Sequence, residues 1–197
     1  MNLRERIVEE IRRRGPIPFS RYMEMCLYEP ELGYYSRSRE QFGKAGDFYT
    51  SSDVHAVFGR LLARQFDEMW RAMGAPPRVE IVEIGPGRGL FAQDVLDWAD
   101  KKFWDFRDAL VYRLVENSPG LRDRLYQRFE DRIAKGKISV HETVENLPQA
   151  VEHTIIFGNE FFDALPVEII TRHGELRINF ENGRFVESAV PPSPEEL

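Results

Sequence analysis

At 197 residues, with 42% hydrophobic and 30% charged side chains, the chain is long enough to bury a full core and is composed like an ordinary globular domain. Its net charge of −6 has the wrong sign for a duplex nucleic-acid binder, which needs a basic surplus to neutralise phosphates. The single cysteine, Cys26, excludes an intrachain disulfide and gives no reason to expect a metal.

The first residues are charged, and no apolar run approaches the ~20 residues that span a bilayer. A cytoplasmic protein with no membrane or nucleic-acid partner is therefore expected. Leu3, Ile7, Val8 and Ile11 predict a helix over residues 2–14, stopped by Gly15-Pro16. Arg4, Arg6, Arg12, Arg13 and Arg14 read as its solvated face rather than as a nucleic-acid arm. A second short helix is expected over 19–27, where Cys26 is a buried, inert thiol. Residues 28–52 follow as a Gly-, Tyr- and Ser-rich loop, long enough to suggest a functional lid. Ser52 or Asp53 then caps an amphipathic helix. Its stripe of Val54, Val57, Phe58, Leu61, Leu62, Phe66, Met69, Trp70 and Met73 reads as core, and Gly74 with Pro76-Pro77 ends it.

From Val79 the pattern alternates. Strands are expected at Val79–Ile84, 110–116, 137–141 and Thr154–Gly158, with helices over 89–99 and after Asn117 or Ser118. In the second of these helices Pro119 takes the first position, and Leu121, Leu125 and Phe129 face inward. Alternating strands and helices predict an α/β fold with a doubly wound parallel sheet, a Rossmann-like core. After Pro166, short apolar runs at 167–171, 176–180 and 185–189 are separated by His173-Gly174 and Asn182-Gly183, which predicts an antiparallel meander. The implied organisation is a helical region with the lid (1–77), a core (78–166), the meander (167–190) and a linker-like tail (191–197).

Chemistry concentrates at three strand ends. The first is Gly85-Pro86-Gly87-Arg88-Gly89, whose glycines let the chain turn sharply and bring free helix N–H groups close to a ligand. The dinucleotide fingerprint wants a small residue where Leu90 stands, so a nicotinamide dehydrogenase is disfavoured. The Gly-x-Gly-x-Gly spacing after the acid Glu83 is the form used for S-adenosylmethionine. The second is Glu116, placed to accept both ribose hydroxyls; the alternative is an acid that caps the next helix. The third is Gly158-Asn159-Glu160-Phe161-Phe162-Asp163-Ala164-Leu165-Pro166, where two acids and an amide are hard to explain by packing, while either phenylalanine could be core.

Further motifs join these: Gly15-Pro16-Ile17-Pro18-Phe19 with Tyr22-Met23, Tyr34-Tyr35, Gly46-Asp47-Phe48-Tyr49-Thr50-Ser51, Phe58-Gly59 and Val115-Glu116. Together they resemble the MidA-like family of class I methyltransferases over most of the chain to about residue 170. The mitochondrial members assist assembly of respiratory complex I, and one is associated with arginine methylation of a complex I subunit. The resemblance implies S-adenosyl-L-methionine as cofactor and a protein, arginine-bearing substrate. It puts Gly85, Pro86, Gly87 and Gly89 around the cofactor with Glu83 before them, Glu116 on its ribose and Gly46-Asp47 over it. Asn159 and Glu160 lie beside the methyl, with Asp163 a further candidate. Ser52-Asp53 stand where the family usually has Pro and Glu, and family members are longer. The four core strands therefore point to an incomplete sheet, either a truncated or split version of the fold or one whose edge a homodimer partner or a second chain completes.

The expected reaction is an in-line displacement at a sulfonium methyl, for which positioning and exclusion of water supply the rate. Glu160 and Asp163 would hold an acceptor guanidinium in a fixed fork. A binding or assembly protein that keeps the cofactor site without turnover is the rival reading.

Overall fold

The structure, a computed structural model, describes residues 1–36, 55–149 and 152–191. It divides into two compact units, Met1–Arg39 with Phe162–Leu197, and Glu40–Phe161.

In the first unit, helix α1 (Leu3–Arg14) starts at a capping box between Asn2 and Glu5, then buries Ile7, Val8 and Ile11. A two-residue strand, β1 (Ile17–Pro18), precedes helix α2 (Phe19–Tyr28). The meander is present as β6 (Ile170–Thr171), β7 (Gly174–Glu181) and β8 (Arg184–Val190), and Asn182-Gly183 forms the β7–β8 turn with both φ positive. One edge of β7 pairs with β6 and then β1, and the other with β8. No strand was expected at Ile17–Pro18, because two residues carry no periodicity. The run at 167–171 pairs only at its last two residues.

In the second unit, β2 (Val79–Ile84), β3 (Leu110–Val115), β4 (Ile138–His141) and β5 (Thr154–Gly158) form a parallel sheet in the order β4-β3-β2-β5. The connections from β2 to β3 and from β3 to β4 run through α4 (Leu90–Lys102), α5 (Trp104–Ala109), α6 (Pro119–Arg128) and α7 (Glu130–Ala134). Both steps go the same way across the sheet, so right-handed crossovers put these helices on one face. Val79, Ile81, Tyr112, Leu114 and Ile138 pack there against Phe91, Val95, Leu96, Phe106, Leu125 and Phe129. The chain then reverses past β2 to reach β5, and the reversal opens a crevice at the carboxyl ends of β2 and β5. On β5, Ile156 is 70% exposed.

Helix α3 (Val57–Ala72) buries Gly59, Ala63, Phe66, Asp67 and Trp70 and lies against α4. This corrects the expected apolar stripe. The small residues Gly59 and Ala63 let α3 approach α4 on their side, which turns Val57, Leu61 and Met69 outward to 46%, 60% and 38% exposure. Its start also differs: α3 begins at Val57, where His55 Nδ1 accepts from the Val57 N–H at 3.0 Å, while Ser52 and Asp53 lie outside the described residues. Among the described residues no helix is long and apolar enough to cross a membrane.

Candidate functional site

Strand register builds the site. Ile84 lies level with Val115 on one side and with Gly158 on the other, so Gly85, Glu116 and Asn159 each stand one residue past a common line. Three of the sequence candidates, far apart in the chain, thereby reach one end of one sheet.

The glycine turn is held at both ends. The Gly85 N–H donates to the Val115 carbonyl at 3.0 Å, and the Gly89 N–H to the Pro86 carbonyl at 2.8 Å. Gly85 and Gly89 have φ of 69° and 73°, which side chains disfavour. Space forbids a side chain at both as well. A Cβ at Gly85 would meet the Phe161 ring at 2.8 Å, and one at Gly89 would meet Leu125 Cδ2 at 2.7 Å and Phe129 Cε2 at 2.8 Å. Gly89 thus serves the packing of α4 against α6, while at Gly85 the Phe161 ring lies against the backbone of the turn.

Glu116 is 6% exposed. Its Oε2 accepts from the Gly87 N–H at 3.2 Å and its Oε1 from the Ser118 N–H at 3.0 Å. The carboxylate therefore does what the capping alternative required, tying the turn to the start of α6. Each oxygen keeps capacity for a further donor. Arg122 Nη1 binds the Glu116 and Asn117 carbonyls at 2.9 and 2.8 Å, so its guanidinium fixes the backbone. Burial pushes the Glu116 carboxyl up to about 6, against the pull of the Ser118 and Gly87 amides.

Glu83 points the other way, into the core. It is 4% exposed, and its Oε2 accepts from the Tyr112 O–H at 2.8 Å. Burial pushes its carboxyl up to about 7, the phenol bond pulls it down, and the charge of Glu116 adds to the rise. Tyr112, fully buried, is raised well above its ordinary value by burial and by Glu83. Sequence reasoning passed over Tyr112. The signal was there, because a tyrosine between Leu110 and Leu114 on the buried face must find a partner, and Glu83 is on the neighbouring strand.

At the end of β5, Asn159 is half-buried and Glu160 exposed. Glu160 has φ of 48°, a left-handed conformation unusual for a side chain of this size. Asp163 is exposed on a short turn, Phe162–Ala164, and belongs to the first unit. Gly46 and Asp47 lie outside the described residues. Beside the turn, Arg88, Gln93, Arg124, Gln127 and Arg128 line a basic cleft of about 550 Å³ on the outer side of α4 and α6.

A buried carboxylate with spare acceptor capacity, level with the first glycine of the turn, fits a nucleoside diol. Residues 61–194 match the family described as "Putative S-adenosyl-L-methionine-dependent methyltransferase". The chain belongs to this methyltransferase family. The chain is 36% identical over 84% of its length to the Drosophila melanogaster "Protein arginine methyltransferase NDUFAF7 homolog, mitochondrial", and 38% identical over 97% to the corresponding protein of Rattus norvegicus. It spans 41% and 46% of those two relatives. A solved COG1565 superfamily member from Burkholderia thailandensis, bound to S-adenosyl-homocysteine, superposes with a TM-score of 0.78 at 29% identity, covering 98% of this chain and 51% of that one. The relatives' names place them in mitochondria, which overturns the expectation of a cytoplasmic protein.

Proposed function

We propose that this chain carries the cofactor half of an S-adenosyl-L-methionine-dependent methyltransferase acting on an arginine of a protein. The observation that carries this reading is the level alignment of Gly85, Glu116 and Asn159, with Glu116 buried against the turn. The cofactor, when bound, supplies an electrophilic methyl on a sulfonium. Gly85, Pro86, Gly87 and Gly89 then form the backbone cradle, Glu116 accepts from the ribose hydroxyls, and Gly46-Asp47 are the further cofactor residues that the family resemblance implies. Asn159 and Glu160 serve the acceptor, and Asp163 is the further candidate that the family resemblance implies. They fix its guanidinium by charge-assisted hydrogen bonds and hold the charge that develops. In this reading residues 78–166 are the binding core and 1–77 carry the lid. The setting is the respiratory complex I assembly that the family resemblance implies, and the β5 edge pairs with a second copy or a further chain.

The test is a thermal shift and calorimetric titration with S-adenosylhomocysteine, followed by methyl transfer to candidate proteins. At a hundredfold excess over Kd, binding stabilises by about 2.7 kcal/mol. No stabilisation at millimolar ligand would sink the cofactor reading. Saturable binding without product would favour the assembly protein that binds cofactor and does not turn over. Glu160→Gln leaving turnover intact would remove Glu160 from the chemistry.

A further inference from the structure

Two acidic side chains, Glu83 and Glu116, are buried at the same end of the sheet, at 4% and 6% exposure. Their donors are unequal. Glu116 accepts from two backbone amides, whereas Glu83 has a single phenol, Tyr112. Neighbouring carboxylates withdrawn from solvent cannot both ionise cheaply, and the charge settles where more N–H groups face it.

We propose that Glu83 is a positioning residue that takes the one proton of this pair and so leaves Glu116 as the anion that meets the cofactor's hydroxyls. The proposal rests on the cofactor reading of Glu116 given above. The other titratable groups against the pair, among the described residues, are Tyr112 on β3 for Glu83 and Arg122 on α6 for Glu116. The α3 and α4 side chains that share the core cluster with Ile81 and Tyr112 are apolar: Ala63, Phe66, Phe91 and Val95 among them. Among the described residues no cation is placed to make a second anion tolerable at Glu83. The higher of the two titrations, about 7 against about 6, falls on the residue with fewer donors, as this argument requires.

A carboxylate accepts from a ribose diol, but a carboxylic acid spends one oxygen as a donor. A proton on Glu116 would therefore misorient the cofactor. Glu83 keeps it elsewhere while its hydrogen bond pins β2 to β3 just before the turn.

The experiment compares the 197-residue chain with Glu83→Gln, Glu116→Gln and Tyr112→Phe by infrared spectroscopy, at a pH between the two titrations. S-adenosylhomocysteine binding is titrated in parallel across the acid range. The parent chain should show the carbonyl band of a buried, protonated carboxyl. That band should vanish in Glu83→Gln and move to higher frequency in Tyr112→Phe, which loses the donor and keeps the ring. The acid midpoint of ligand binding, set by Glu116, should stay in place in Glu83→Gln, because a neutral neighbour has replaced a neutral neighbour. A band that survives in Glu83→Gln, or an acid midpoint that drops by about a pH unit, means that Glu83 was ionised and overturns the proposal. Glu116→Gln tests the underlying reading separately, with at least about tenfold weaker binding expected. If Glu116→Gln binds as tightly as the parent, the cofactor role of Glu116 fails, while the band still locates the proton.

Discussion

Glu80 and Glu83 stand three residues apart on β2, both almost wholly buried, and their surroundings treat them oppositely. At the amino end of the strand, Glu80 is clamped by Arg113, whose Nε donates to its Oε2 at 3.0 Å, and by Arg78, whose Nη2 donates to its Oε1 at 2.7 Å. Arg113 also reaches Ser139 Oγ at 3.0 Å, so three strands are tied by one guanidinium. These bonds hold the Glu80 carboxyl below the usual range. At the carboxyl end Glu83 has, among the described residues, only a phenol, and burial pushes it to about 7. The amino end of the sheet is satisfied and charged. The carboxyl end is left short of donors, beside the glycine turn and Glu116, where a ligand would complete it. A strand whose two ends are finished so differently marks where stability is stored and where function is placed.

The strongest way to test that division is Arg113→Met, which removes the better of Glu80's two partners and leaves the exposed Arg78 to serve a carboxylate that is 2% exposed. Breaking a buried ion pair from one side costs about 4 kcal/mol. Urea unfolding should show a loss of that order, with S-adenosylhomocysteine affinity within about twofold of the parent. Lost affinity at intact stability would break the comparison.

The second test is the pH dependence of stability, where the two residues act with opposite sign. The Glu83 carboxyl rises from 4.5 to about 7 on folding, so the folded state binds its proton more tightly. Its stabilisation is present below the unfolded value and is lost as pH climbs toward 7, at about 1.4 kcal/mol per unit and at most ~3 kcal/mol in all. Glu80, depressed on folding, contributes above the ordinary carboxylate range, and that contribution is lost on acidification through its folded value. Subtracting the denaturation curve of Glu83→Gln from that of the parent isolates the first slope. A flat difference between pH 4.5 and 7 would show that Glu83 is not desolvated as described.

These elements also show what a sequence yields unaided. The four parallel strands, Gly85 to Gly89, Glu116, and the Asn182-Gly183 turn are written in local patterns of period, glycine and strand end, and each was legible. What was not legible depended on which atoms meet across strands. Arg113 and Glu80 are an ordinary basic and acidic residue until β2 and β3 are aligned, and β1 exists only because Ile17 finds Ile178 far along the chain. Phe161 could have been core or part of the strand-end cluster, and only the pairing of β2 with β5 brings its ring against Gly85. On α3 the expected Phe58, Leu62, Phe66, Trp70 and Met73 do reach the core, but Val57, Leu61 and Met69 do not, because hydrophobicity ranks Leu61 above Gly59 whereas close helix packing prefers the smaller residue.

A smaller effect separates architecture from binding inside the turn itself. Gly89→Ala places a methyl against Leu125 and Phe129 at a φ of 73°, so strain and overpacking together should cost about 2 kcal/mol. Its cost should appear in thermal stability first and in cofactor affinity only secondarily, because the clash faces α6 rather than the crevice. An affinity loss larger than the stability loss would move Gly89 from packing to the ligand side.

The smallest effect carries the sharpest sign. Glu160 holds a left-handed backbone, φ of 48°, on an exposed position at the end of β5, where a glycine would hold it without strain. Exposed Glu31 and Ala75 hold positive φ too, 64° and 50°, so what sets Glu160 apart is its place at the end of β5 and the acceptor role proposed for it. Glu160→Gly should therefore raise stability by up to ~1 kcal/mol while lowering methyl transfer by about a hundredfold. A variant that is less stable and equally active would show a structural glutamate, and the acceptor side of the site would then have to be sought elsewhere along the carboxyl ends of β2, β3 and β5.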